Sequence, residues 1–253
     1  MEDDLSALRQ SDGSRSAKPT RALADNLLAR NLMPQGADMT GAERPHKSQK
    51  VLSHLIVLGH PNPHSLNAAI AQQYEETVRA NYQEAVVRDL YALGFDPLLK
   101  EPERTASETE RVADDVRVEL DLIERCDMLS FVFPLWFGMP PAMIKGYVDR
   151  VLGAGFRTND VEKARRGVFQ GKRLAVLTTS ASTLPWLEEH GMWVSLRQSF
   201  DRYLATLFGF APSGHYHADA IVDDLSPSLV KTLLEEVDGF TRSICTGELT
   251  AKQ

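Results

Sequence analysis

In residues 133–156, FPLWFGMPPAMIKGYVDRVLGAGF, the bulky side chains of Trp136, Phe137 and Met139 are crowded between Pro134 and the pair Pro140 and Pro141. A turn leaving a strand sits at the surface and favours Gly, Asn, Ser and Asp. Apolar bulk there needs a reason, and two are open. Prolines that stiffen a loop, flat rings that offer stacking area, and Gly138, which lets backbone N–H groups approach closely, together suit a planar aromatic ligand. Alternatively, Trp136 and Phe137 pack under the turn as core.

Two further stretches carry candidate chemistry. The loop GHPNPHSLNAA from Gly59 lacks both G-x-G-x-x-G and G-x-x-x-x-G-K-[ST], so neither nucleotide motif applies. A helix opening near Ser65 to Asn67 would still present free N–H groups and a positive dipole end to a phosphate, while Ser65 could equally be a simple cap. In TTSASTLPWLEEHGMW, Thr178, Thr179 and Ser180 offer donors to the carbonyl edge of a ring. Trp186 and His190 follow, and His190 is either a proton-handling group or a surface histidine. His215 and His217 would share one strand face, but two ligands do not make a metal centre and no metal is expected. No acidic phospho-acceptor site and no G-x-S-x-G elbow is present, which excludes a signalling receiver and leaves a serine hydrolase unsupported.

These groups need a scaffold, and the hydrophobic pattern supplies one. HLIVLG (54–59), AVVRDL (85–90), MLSFVF (128–133), RLAVLTT (173–179) and SGHYHA (213–218) are of strand length. Between and after them come helical stripes: Leu66, Ile70, Tyr74 and Val78; Val112, Val116, Leu120 and Ile123; Met143, Ile144, Tyr147, Val148 and Val151; Leu196, Phe200, Tyr203, Leu204 and Leu207. The last helix opens with Ser226 as cap and Pro227 at its first position, and carries Leu229, Val230, Leu233, Leu234 and Val237. Strands alternating with helices predict an α/β fold, a doubly wound five-stranded parallel sheet of order 2-1-3-4-5 with helices on both faces. Ligands in such sheets bind beyond the carboxyl ends of the strands, where all three candidate loops emerge.

The chain has 253 residues, 43% of them hydrophobic, enough for one large core. Residues 1–50 read as an irregular extension with a short helical stripe at Leu23, Leu27 and Leu28, residues 51–245 as the domain, and 246–253 as a tail. A net charge of −7 without a basic cluster argues against nucleic-acid binding. Cys126 and Cys245 form no C-x-x-C, and no apolar run nears the ~18 residues of a membrane span. With Glu2, Asp3 and Asp4 opening the chain in place of a signal sequence, the expectation is a cytoplasmic protein without membrane insertion.

HLIVLGHPNPHSLNAAI, RDLYALGFDPLL, FPLWFGMPPAMIKGYVDRVLGAGF and KRLAVLTTSAS, in this order, resemble the NAD(P)H quinone oxidoreductase family of flavodoxin-like fold. The resemblance implies a bound flavin, FMN or FAD, with NADH or NADPH as co-substrate and a quinone-like acceptor. The phosphate would lie on His60, Ser65, Leu66 and Asn67, and the ring against Pro134, Leu135, Trp136, Phe137 and Gly138. Thr178, Thr179 and Ser180 would hold the pyrimidine side. Trp136, Phe137, Trp186 and His190 would line the substrate pocket, with His190 catalytic, and the family implies a homodimer. Three departures stand out. The turn after strand 3 is one residue shorter than in mammalian members, Trp186 and His190 stand where those carry a Tyr and His pair, and no additional C-terminal region follows the last helix. A flavin-bearing ancillary subunit of a potassium efflux transporter is the alternative. A one-electron flavodoxin-type carrier lacks its hydroxyl-rich phosphate loop here.

Overall fold

The computed structural model describes residues 51–101, 112–156 and 167–248. The expected N-terminal extension, with its Leu23, Leu27 and Leu28 stripe, and the end of the tail lie outside them. Five strands form one sheet in the order β2-β1-β3-β4-β5, as the alternation of elements predicts. They are β1 (Ser53–Leu58), β2 (Glu84–Asp89), β3 (Met128–Pro134), β4 (Arg173–Thr179) and β5 (Ala211–Ala218), and every neighbouring pair is parallel. The central β1 and β3 are continuous apolar runs because both of their faces are covered.

One face is packed by α1 (Leu66–Ala80) and α6 (Pro227–Thr246), whose Ile70, Tyr74, Val78, Val237 and Ile244 meet Ile56, Leu58, Val132 and Leu177. On the other face lie α2 (Asp114–Arg125), the helical segment α3 from Ala142, the short α4 (Leu184–Glu189) and the segment α5 from Met192. Each fully buried Leu, Ile, Val or Phe in these two layers stabilises the fold by about 1.5–3 kcal/mol. At α6 the predicted cap is present: the Ser226 hydroxyl accepts from Leu229 N, with Pro227 opening the helix.

Two π-helical turns depart from the 3.6-residue reading. In α3, Ala142–Tyr147 passes into a π turn at Val148–Leu152; in α5, Met192–Leu196 passes through a π turn at Arg197–Arg202 into Tyr203–Phe208. The wider turn favours spacing of four, and Leu196, Phe200, Leu204 and Phe208 are all buried. Tyr203, expected on the inner stripe, is therefore rotated outward and 59% exposed. Leu229 of α6, also expected inside, is exposed in its first turn.

At the amino end of β1 a buried polar chain runs through the core. Ser130 donates to the Tyr74 hydroxyl, which meets His54 Nδ1 at 3.0 Å, and His54 Nε2 lies 3.0 Å from Gln83 Oε1. The amide oxygen can only accept, so Nε2 carries the proton and Nδ1 accepts from tyrosine. Burial of this neutral ring pushes the His54 pKa from 6.5 down to about 4. The unfolded chain then binds a proton that the folded chain refuses, and stability is lost as pH falls through that window. Unfolding free energy from urea titrations should drop by roughly 3 kcal/mol on this account between pH 7 and pH 4, the equivalent of the gap between the two pKa values. His54→Gln should remove that share of the slope; an unchanged slope would show that His54 does not carry it.

Candidate functional site

Because the strands are parallel, β1, β3 and β4 deliver their following loops to one edge of the sheet. After β1, Gly59 N donates to Val132 O, and a side chain at Gly59 would overlap Ile144 of α3. The loop then folds on itself. Asn62 N donates to His60 Nδ1 at 3.0 Å, Asn62 Oδ1 accepts from His64 N, and Ser65 N donates to Asn62 O. Burial lowers the His60 pKa and so favours a neutral ring, whose Nδ1 lies within reach of both Asn62 N, a donor, and Asn62 O, an acceptor. Ser65 is the cap of α1: its hydroxyl accepts from Ala68 N and its carbonyl from Ala69 N. The N–H groups of Leu66 and Asn67, at the positive end of a 15-residue helix, have no intrahelical acceptor. The cap and anion readings of Ser65 are thus compatible.

The turn after β3 resolves the question of its aromatic residues. Trp136 and Met139 exchange backbone hydrogen bonds of 3.0 and 3.1 Å, and the two residues between them have positive φ, +53° at Phe137 and +74° at Gly138. This is a tight type I′ turn, which suits Gly at its second central position and strains Phe at its first. Phe137 is 96% exposed, Trp136 41% and Met139 60%, so the rings are presented to the surface. Only Leu135 joins the core, and its N–H ties the turn to Thr179 O at 2.7 Å. A Cβ on Gly138 would strike the Met192 methyl at the start of α5. Across the switch point, the Trp136 ring lies 6.0 Å from the His60 ring, joining the first and third loops.

Following β4, Thr178, Thr179 and Ser180 are all buried. Thr179 Oγ1 accepts from Asn67 Nδ2 at 2.9 Å, while Asn67 Oδ1 is buried without a partner. Asn67 therefore braces α1 against β4 with its side chain and offers its main-chain N–H outward. The Thr178 and Ser180 hydroxyls point inward to His215 and His217. Bonds from Ser180 N to Ala218 O, Ile221 N to Ser180 O and Ala220 N to Ser182 O zip this loop to the chain after β5. Asp219 holds Leu184 N at the start of α4.

On α4, Trp186 and His190 stack on each other with ring centroids 4.1 Å apart and planes 22° from parallel. His190 Nδ1 lies 2.9 Å from Trp186 O, an acceptor, so Nδ1 is the protonated nitrogen and Nε2 faces away from this bond. Among the described residues no ring contact joins this pair to the β3 turn. His215 and His217 share a face as expected, yet their ring nitrogens are bound to Thr178, Ser180 and Asp201. Among the described residues no group of three or more His, Cys, Asp or Glu is arranged to hold a metal ion. The part Asp201 and Trp193 play around those histidines gives no signal in the sequence.

A family described as having a flavodoxin-like fold matches residues 53–238. The chain belongs to it. An NAD(P)H oxidoreductase of Haemophilus influenzae is 33% identical over 146 residues, covering 57% of this chain and 72% of that protein. NAD(P)H dehydrogenase [quinone] 1 of Cavia porcellus is 33% identical over 147 residues, and the chain spans only 53% of that relative's length. Among solved structures, an NAD(P)H:quinone oxidoreductase from Methanothermobacter marburgensis superposes with a TM-score of 0.67 at 22% identity over 77% of this chain and 98% of its own. An FMN-dependent NADH-azoreductase from Bacillus anthracis, in complex with FMN, gives 0.55 at 16% identity over 76% and 99%. At these identities the structural likeness shows the fold; the sequence relatives make the chain an oxidoreductase. Among the described residues no helix is long and apolar enough to cross a membrane.

The turn geometry makes a thermodynamic prediction. Phe137→Gly should leave urea-derived stability unchanged or raise it by up to about 1 kcal/mol, because relief of the left-handed strain opposes the added unfolded-state entropy. Gly138→Ala should lower it by about 1–2 kcal/mol. A loss above 1 kcal/mol in Phe137→Gly would mean that the ring packs on the fold.

Proposed function

We propose that the chain is a flavin-dependent NAD(P)H oxidoreductase that reduces quinones or similar acceptors by two electrons, with FMN or FAD as the bound flavin. The observation that carries this is the strained turn that presents Trp136 and Phe137 to the surface, linked through His60 to a helix N-terminus with two free N–H groups. A planar ring with a phosphate tail fits that set: a flat apolar ledge at one loop and an anion site at the next. The FMN complex of the azoreductase relative in fold, and the names of the curated relatives, point the same way.

When bound, the flavin supplies the capacity to accept hydride from NADH or NADPH and pass it to the acceptor, so the two substrates use one cleft in turn with ping-pong kinetics. The residues of the chain do the rest. Leu66 N, Asn67 N and the α1 dipole hold the phosphate, with the His60 side chain beside it. Trp136, Phe137 and Gly138 would support the ring, and the loop that follows Ser180 would lie at its pyrimidine edge. His190, when its Nε2 also carries a proton, donates from that nitrogen at that edge or at the acceptor oxygen, and Trp186 shapes the acceptor's berth. The ledge is exposed at Trp136, Phe137 and Met139. A second copy of the chain covering the ledge in a homodimer would exclude water from it.

Purified protein should be yellow, or flavin-free protein should bind FMN or FAD with quenching of tryptophan fluorescence. Trp136→Ala should weaken binding about 3–10-fold, the equivalent of ~0.5–1.5 kcal/mol of ring stacking. His190→Ala should keep the flavin and slow its reduction by NAD(P)H in stopped flow by about 10–100-fold, as loss of a charge-stabilising donor does. A colourless protein that binds neither flavin would remove the reading.

A further inference from the structure

A second polar line, separate from the exposed ledge, runs from α5 through β5 to the loop after β4. Asp201 Oδ2 lies 2.7 Å from His215 Nδ1, His215 Nε2 lies 2.7 Å from Thr178 Oγ1, and Thr178 Oγ1 lies 2.8 Å from His217 Nδ1. His217 Nε2 is 3.1 Å from Ser180 Oγ, which reaches Ser182 O at 2.6 Å. The groups facing His215 are Asp201 from α5, with Arg197 bound to the same carboxylate oxygen, the Trp193 ring, Thr178 from β4, and His217 beside it on β5. Asp219 acts on His217 from the following loop.

Donor counting gives this line two complete arrangements. A carboxylate only accepts, so His215 Nδ1 carries a proton in both. In the first, the Thr178 hydroxyl donates to a neutral His215 at Nε2, His217 donates from Nδ1 to Thr178, and Ser180 donates to His217 Nε2. Ser182 O is then still served by Ala220 N. In the second, His215 is an imidazolium and donates from both nitrogens, Thr178 donates to His217 Nδ1, His217 donates from Nε2 to Ser180, and Ser180 donates to Ser182 O. The second differs by one proton. A proton entering at Ser180 and moving one bond at each step converts the first into the second without moving a heavy atom, and the reverse sequence releases it.

We propose that His215, held by Asp201, is a buried proton reserve that exchanges protons with the β4 loop through Thr178, His217 and Ser180, and so supplies the proton that reduction of the acceptor consumes. This use rests on the reductase reading above. Two-electron reduction of a quinone carbonyl takes up a hydride and a proton, and the proton forms the new O–H bond while His215 returns to neutral and is refilled from solvent. The local build favours a store at His215 over a passive brace. The π turn at Arg197–Arg202 carries Asp201 to the imidazole, where Oδ2 is shared between His215 Nδ1 and Arg197 Nε and Oδ1 is buried with no partner. His217 is pushed down to about 4 by burial and then by His215, so it stays neutral and relays.

The decisive measurement needs no turnover. Nitrogen NMR of histidine-labelled, flavin-free protein across pH should show the His217 proton switching from Nδ1 to Nε2 at the pH where His215 becomes charged. Thr178→Val should uncouple the two events and Thr178→Ser should restore the coupling. A His217 tautomer that stays fixed while His215 titrates would overturn the relay, even if Thr178→Val fails to fold. In the flavin-loaded enzyme, Asp201→Asn should slow the acceptor half-reaction at least tenfold relative to its NAD(P)H half-reaction. An unchanged ratio would overturn the proton-supply role. Absence of any reductase activity in the wild-type chain would sink the function reading and leave the coupled titration standing on its own result.

Discussion

The last rung of the β3–β4 ladder governs the site. Pro134 sits opposite Thr179, and Leu135 N closes the ladder on Thr179 O. Beyond it both chains leave the sheet, and because the strands run parallel they leave on the same side. The buried Leu135 side chain fixes where the turn begins, so that Trp136, Phe137 and Gly138 are pushed past the core. With β1 paired to the other edge of β3, the His60 loop emerges beside them. That the exposed turn, the start of α1 and the loop after β4 meet at one edge is therefore a consequence of strand order and of where one hydrogen-bond ladder stops.

How much of this was legible depended on how local the signal was. β1 and β3 are buried on both faces, so HLIVL and MLSFVF read as strands without ambiguity, and the caps at Ser65 and Ser226 could be read from residue type. The strand order followed from the alternation of elements. Tyr203 failed because a π turn changes the phase of a helix, and Arg197–Arg202 has no compositional mark that distinguishes it from α-helix. The role of Trp136 and Phe137 stayed open in sequence because aromatic residues serve core and surface alike. A backbone angle and an exposure put both at the surface. Asp201, His215 and Thr178 are brought together across 14 and 37 residues of chain, a juxtaposition that only the packing of α5 on β5 and β4 creates.

Polar satisfaction is uneven across the sheet. Near the amino ends of the strands, His54, Tyr74, Ser130 and Gln83 form an unbroken chain. Near the carboxyl ends, Asn67 Oδ1 and Asp201 Oδ1 are buried without partners, and Phe137 holds a left-handed conformation. Arg173 Nη2 is the exception at the amino end, although Arg173 Nε and Nη1 are both bonded. Unmet acceptors and backbone strain each cost on the order of 1–3 kcal/mol. At the amino end Tyr82 also holds a left-handed φ of +58°, so neither cost is confined to one edge.

The two histidine systems differ in what their ring nitrogens face. His54 is fully used: one nitrogen is fixed by an amide oxygen and the other by a tyrosine hydroxyl, so adding a proton breaks the pattern and can only destabilise. His215 faces a carboxylate on one side and a hydroxyl, able to donate or accept, on the other. A rotatable hydroxyl makes a histidine pair bistable where a carbonyl would freeze it, because the hydroxyl can reverse its bond at no cost in heavy-atom position. The same element that hides Thr178 in the core thus gives the line below the ledge two states of nearly identical shape and different charge.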